Sequence, residues 1–170
     1  KIHVKAEDGS EQELAAQNII IATGARSREL PSLPQDGEKV IGYRKAMTLE
    51  KQPKKLIVVG SGAIGVEFAY FYNAMGTEVT LIEYQPRIVP VEDEEISKQM
   101  ERSFKKSGIK VMTSAEVTSV DTSGKGVKAT VKTKKGESKD LHGSFHFSSV
   151  AVIKVEAPKK EETEAAPAKG

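Results

Sequence analysis

Residues 56–65, LIVVGSGAIG, constrain this chain more than any other stretch. Leu56-Ile57-Val58-Val59 is an apolar run of strand length that stops at Gly60, as buried strands of α/β proteins do. Gly60-x-Gly62-x-x-Gly65 then opens a helical pattern running to about Met75, and Gly76 is placed to end it in a left-handed conformation. Val79-Thr80-Leu81-Ile82 is the next strand and leads into Glu83. Strand, glycine turn, helix and strand make a βαβ unit, so the two strands belong to one parallel sheet.

Each part of that unit suits a dinucleotide. Gly60 permits the tight strand-to-helix turn, Gly62 lets a pyrophosphate approach the backbone, and Gly65 lets the helix pack closely on the strand. A pyrophosphate there meets unpaired N–H groups at the positive end of a helix. Glu83, about 20 residues beyond the glycines, is placed to accept hydrogen bonds from the adenosine ribose hydroxyls, which favours NAD over NADP. The bland alternative is a glycine turn that only packs a helix on a strand. The coincidence of strand, spacing, helix and acid argues against it.

The rest of the chain extends this α/β reading. Ile2, Val4 and Ala6 alternate before Asp8-Gly9, a hairpin signal, and Ile19-Ile20-Ile21-Ala22-Thr23-Gly24 reads as a buried strand. Residues 25–53 read as a linker with a short helix at 45–50, because Pro31, Pro34, Gly37, Gly42 and Pro53 break longer elements. A second helix is expected at 92–107, acidic at 92–95 and basic at Lys105 and Lys106, with Ile96, Met100, Phe104 and Ser107 on one face and Gly108 after it. A third strand follows at 109–112. From Glu116 the period falls to two, and strands at 117–120 and 127–131 flank a turn at 122–126, with a second turn at 134–137. The expected fold is therefore a Rossmann-type parallel sheet with flanking helices plus an antiparallel β-meander. A further strand is read within 145–155, and residues 156–170, rich in Ala, Pro, Glu and Lys, read as a disordered tail.

Composition narrows the chemistry. A net charge of +2 over 170 residues gives no electrostatic footprint for nucleic acid, and no apolar run has the length of a membrane span. There are no cysteines, so this chain contains no disulfide, thiolate metal site or thiol catalyst. His142 and His146 do not share a helical face, and no acid completes a metal site with them, so they read as ordinary strand histidines. The acids at 92–95 are explained by a helix start, and Tyr70, Phe71 and Tyr72 by core and interface packing. No nucleophile–base pair stands out, and no catalytic residue is assigned.

The segments IIIATGAR (19–26), residues 30–83 with LIVVGSGAIGVEFAYFYNAMGTEVTLIE, RIVPVEDEEISKQM and AEVTSV resemble the dihydrolipoyl dehydrogenases, which are flavoprotein pyridine nucleotide-disulfide oxidoreductases. The resemblance covers residues 1–137. It implies a partial FAD-domain strand segment and linker at 1–50 and a NAD-binding Rossmann-like domain at 51–155. GSGAIGVE matches the loop holding the NAD pyrophosphate, so Gly60, Ser61, Gly62, Ala63, Ile64 and Gly65 would take that role. Glu67 matches a glutamate near the meeting point of nicotinamide and flavin, Glu83 the ribose-binding acid, and Val117 a residue beside the adenine. Thr23 and Gly24 match the ATG segment that passes near FAD in the whole enzyme.

The resemblance implies a NAD-binding portion of an enzyme that oxidises dihydrolipoamide through flavin. Its implied partners are the rest of the flavoprotein, a homodimeric copy and a 2-oxoacid dehydrogenase complex, in the cytoplasm. The alternatives are an NAD(P)H-dependent ferredoxin or disulfide reductase of the same superfamily, and a non-catalytic interaction module. The family's FAD phosphate loop and redox cysteine pair are not found here, so the chain alone is not expected to be catalytic. From Lys139 the wording departs from the family: residues 151–154 read either as a remnant closing strand or as the end of a lipoyl domain with its linker. The purified chain is expected to be colourless. A flavin absorption band that survives gel filtration would refute that.

Overall fold

The computed structural model describes residues 1–22, 24 and 30–143. Thr23, His146, the strand expected within 145–155 and the tail at 156–170 lie outside the described residues. Strands β1 (Ile2–Lys5) and β2 (Glu11–Leu14) form the expected antiparallel hairpin. Asp8 shapes its turn by accepting from the backbone N–H and the hydroxyl of Ser10. The buried strand expected at 19–24 is not found among the described residues: 19–22 lie in no strand, and Ile20 and Ile21 are 91% and 82% exposed. An apolar run becomes a strand only where another strand takes up its backbone groups, and no described strand does so here.

The stretch expected to be a linker contributes to the core. Asp36 accepts the N–H groups of Glu38, Lys39 and Val40 through one carboxylate oxygen, winding a turn that buries Leu33, Val40 and Ile41. Helix α1 (Tyr43–Ala46) follows, two residues earlier than the glycine and proline pattern suggested. The buried hydroxyl of Tyr72 donates to the Ala46 carbonyl at 2.7 Å and fixes α1 in place.

The βαβ unit forms as expected. Strand β3 (Lys55–Val59), helix α2 (Ala63–Ala74), strand β4 (Glu78–Ile82), helix α3 (Glu94–Lys106) and strand β5 (Lys110–Met112) build a parallel sheet of order β3-β4-β5. Gly76 and Gly108, both at φ of about +90° (+93° and +90°), end the two helices. At the opposite edge from the glycine loop, Glu78 bridges Lys110 and Lys55 on the flanking strands. The hydrogen bond from Lys110, then that from Lys55, holds its carboxyl below the usual range. Strands β6 (Ala115–Asp121), β7 (Val127–Thr133) and β8 (Ser138–Gly143) form the antiparallel meander.

Strand alternation divides the core in two. Leu56, Val58, Val79 and Leu81 face the helices and pack with Val66, Ala69, Tyr72 and Phe104. Ile57 and Ile82 face the other way and pack with Val117, Ala129 and Val131 of the meander and with Leu33 and Val40. Successive strand residues point to opposite faces, so the continuous apolar runs of β3 and β4 are what a sheet covered on both sides requires. Each fully buried aliphatic side chain of this kind is worth about 1.5–3 kcal/mol.

Helix α3 corrects two details. Asp93 is its cap, accepting the Glu95 N–H at 2.8 Å, so the helix begins after the first two of the four acids. The inward face carries Ser97 and Phe104 with Met100 partly buried beside them, and Ile96 is 52% exposed. Of the three successive aromatics in α2, Tyr72 is buried and Tyr70 and Phe71 are exposed.

The tightest contact lies between β3 and α2. A Cβ on Gly65 would stand 1.9 Å from the Gly60 carbonyl oxygen and 2.9 Å from its carbon. Both are backbone atoms, which no rotamer change can move. Gly65→Ala is therefore expected to destabilise the chain by about 3 kcal/mol or more, at the upper end of overpacking effects, read as a lowered urea midpoint.

Candidate functional site

The glycine loop joins β3 to α2 at the carboxyl ends of the parallel strands. Gly60, at φ +94°, donates its N–H to the Ile82 carbonyl at 2.8 Å and so extends the pairing of β3 with β4. Gly65 is required by the contact with Gly60. Gly62 differs from both: its φ of −64° suits any residue, and a Cβ there would meet nothing within 4 Å. Gly62 caps α2 without a side-chain hydrogen bond, and the first turn of the helix holds no acid. Helix α3, by contrast, is capped by Asp93 and begins with two glutamates. The first turn of α2 thus carries no acid of its own to offset the positive end of the helix.

Beside the loop stands Glu83. One carboxylate oxygen accepts both the backbone N–H of Ser61 at 2.8 Å and its hydroxyl at 2.7 Å, and the other accepts the Gln85 N–H at 2.8 Å. Its own backbone continues the sheet, from Glu83 N–H to the Met112 carbonyl and from Ala115 N–H to the Glu83 carbonyl. Glu83 is only 8% exposed and joins loop, sheet and meander. A carboxylate taken out of water needs donors, and Ser61 with Gln85 supplies them.

Ser61 is fully buried and held on a second side, since its carbonyl accepts the Val89 N–H at 2.9 Å. Val89 adopts φ +40°, unusual for a β-branched residue. Its carbonyl accepts from the Glu92 N–H and the Ser97 hydroxyl. Arg87, the one basic residue in the turn after Glu83, donates through Nη2 to the Pro90 carbonyl at 3.0 Å. It is therefore turned into its own loop.

The other residues nominated from sequence lie in different surroundings. Ala63 and Ile64 form the first turn of α2, exposed and half-buried respectively. Glu67 is exposed on the same helix, at the side of an apolar groove of about 590 Å³ between α1 and α2. Met47, Phe68, Phe71 and Met75 line that groove, which sequence reasoning missed. Val117 is buried in the core beneath the meander, and Gly24 is exposed at φ +75°. Neither touches the glycine loop by any contact described here. His142 is exposed on β8, and no cluster of potential metal ligands occurs among the described residues. No described helix is long and apolar enough to cross a membrane.

An α/β unit with a glycine turn at the carboxyl ends of its strands, and an acid beside that turn, is the architecture of the dinucleotide-binding α/β folds. The chain belongs to the pyridine nucleotide-disulphide oxidoreductase family, whose model matches residues 1–155. Among its relatives, dihydrolipoyl dehydrogenase of Chlorobaculum parvum is 44% identical over 154 residues, covering 91% of this chain and 33% of that protein. The structure of LpdA from Mycobacterium tuberculosis matches with a TM-score of 0.69 at 36% identity, over 86% of this chain and 31% of that one. A ferredoxin reductase from Rhodopseudomonas palustris matches with a TM-score of 0.66 at 25% identity, over 87% of this chain and 37% of that one. The chain spans about a third of the length of the curated relatives it matches.

Because Glu83 satisfies two backbone donors and a buried hydroxyl, Glu83→Ala is expected to lower stability by about 2–4 kcal/mol. Glu83→Gln keeps an acceptor against Ser61 and should lose about half of that. Thermal melts of both variants check the order.

Proposed function

We propose that this chain binds NAD and is the NAD-binding portion of a dihydrolipoyl dehydrogenase. The observation that carries the reading is Gly62. Gly60 answers to backbone conformation and Gly65 to helix–strand packing, but nothing within the protein calls for glycine at 62. A close approach from outside does, and the N-terminus of α2, with no side-chain cap, suits an anion there. In this reading a pyrophosphate lies on the loop of Gly60, Ser61, Gly62, Ala63, Ile64 and Gly65; the N–H groups of Gly60 and Ser61 are already spent on the Ile82 carbonyl and on Glu83, so those at the start of α2 would carry it. Glu83 would accept from the ribose, and Arg87, committed to the Pro90 carbonyl, offers little to a 2′-phosphate.

Bound NAD supplies a nicotinamide ring that accepts hydride; the chain's own share is to bind and orient it. FAD belongs, in this reading, to the rest of the protein, because this sequence holds neither the family's FAD phosphate loop nor its redox cysteine pair. The apolar groove beside Glu67, with Met47, Phe71 and Met75 each more than half exposed, suits coverage by that remainder. A homodimeric partner and a 2-oxoacid dehydrogenase complex are the assemblies proposed for the full-length protein, with the cytoplasm as its compartment. Val117 lies too deep to meet an adenine without movement of its neighbours, so its proposed role is to support the site from below. The likeness to a ferredoxin reductase supports a second reading, in which the same NAD role serves a different electron acceptor.

Calorimetric titration of NAD into the wild type and Gly62→Ala tests the binding. The variant should lose affinity at least about tenfold, while stability falls by no more than about 1 kcal/mol, the scale of a cap substitution. Equal affinity in the two proteins, or no binding by the wild type, would overturn the reading.

A further inference from the structure

Glu83 has about four lone-pair directions as a carboxylate, and the protein fills three of them. Ser61 takes two on one oxygen, through its N–H and its hydroxyl, and Gln85 takes one on the other. The backbone donors come with the fold, whatever the side chains. The hydroxyl comes only with serine at 61. That serine is fully buried and anchored through its carbonyl by Val89, so its hydroxyl has a fixed origin from which to reach Glu83.

We propose that the Ser61 hydroxyl sets nucleotide selectivity in this chain, by pinning Glu83 against the glycine loop with one acceptor direction left, suited to a ribose hydroxyl and closed to a ribose phosphate. The inference rests on the loop being a NAD site. Ser61 acts through Glu83 and is a positioning residue. Without its hydroxyl the carboxylate keeps its charge but gains freedom to turn. A ribose hydroxyl then meets a less ordered acceptor and binds more weakly. A 2′-phosphate gains an escape from repulsion, because the carboxylate can swing aside. The two nucleotides are therefore affected unequally, which loss of folded protein alone cannot produce.

The experiment is calorimetric titration of NAD and of NADP into the full chain as wild type, Ser61→Ala and Ser61→Thr, with a thermal melt of each. The wild type should prefer NAD by at least about tenfold. Ser61→Ala should weaken NAD about tenfold, the scale of one hydrogen bond to a charged group, and change NADP less than about threefold. Ser61→Thr, which retains the hydroxyl, should keep the wild-type ratio. A partly unfolded variant weakens both nucleotides by one factor, so the ratio still reports selectivity. Parallel weakening of both by Ser61→Ala, an unchanged ratio, or a threonine variant that behaves like alanine would overturn the proposal and leave NAD binding standing. A wild type that binds neither nucleotide would overturn both.

Discussion

The approach of α2 to β3 at Gly65 sets the geometry on which the rest depends. With the Gly60 carbonyl where the Gly65 side chain would otherwise stand, helix and strand meet at a distance that no other residue allows. That distance seats Val66 and Ala69 against Val58 and lets Tyr72 reach the Ala46 carbonyl, which brings α1 onto the same layer. It also aims the first turn of α2 across the ends of the parallel strands. A looser contact would leave the strands paired and the helix formed, yet would misdirect the N–H groups that the loop presents.

The same constraint explains why a carboxylate is tolerated in a nearly dry position. Gly60 and Ile82 continue the pairing of β3 and β4 past their last strand residues, which brings Ser61 beside Glu83. Three donors then converge on two oxygens. Neutral hydrogen bonds are worth about 0.5–1.5 kcal/mol each and those to charged groups more, so the cluster offsets the loss of hydration that a buried charge suffers. The acid that would meet a ligand is thus also part of the frame. The proposed binding role and stability are linked at Glu83, while a side chain at Gly62 would meet no protein atom.

Much of this arrangement was legible in the sequence, because glycines mark backbone geometry directly. Gly60, Gly76 and Gly108 all adopt the left-handed conformations their positions implied, and the βαβ unit and the β6–β7 hairpin lie where periodicity put them. Other features depend on contacts that no local pattern encodes. The run Ile19-Ile20-Ile21 has strand composition, but composition supplies no neighbouring strand. The inward face of α3 carries Ser97 and Phe104 while Ile96 is exposed, because packing against the sheet decides which edge of an apolar stripe is covered. Strand β8, SKDLHG, carries almost no β-branched residue and exists through its pairing with β7. The place of Glu83 beside the glycine loop was legible by position. Its burial was not, because it follows from Ser61, a residue the glycine pattern leaves unspecified.

The connection from β4 to α3 shows how far the fold goes to hold that serine. A direct path would need no left-handed valine, yet Val89 adopts one, at a cost of order 1–3 kcal/mol for such strain. Its N–H is spent on the Ser61 carbonyl, and its own carbonyl on Glu92 and Ser97, so three hydrogen bonds offset the strain. The buried Ser97, an odd choice for the inner face of a helix, makes sense as one of those donors. The same turn draws Arg87, its one basic residue, onto the Pro90 carbonyl. The strained valine thus anchors the loop serine from behind, within a turn whose cation is committed to its own backbone.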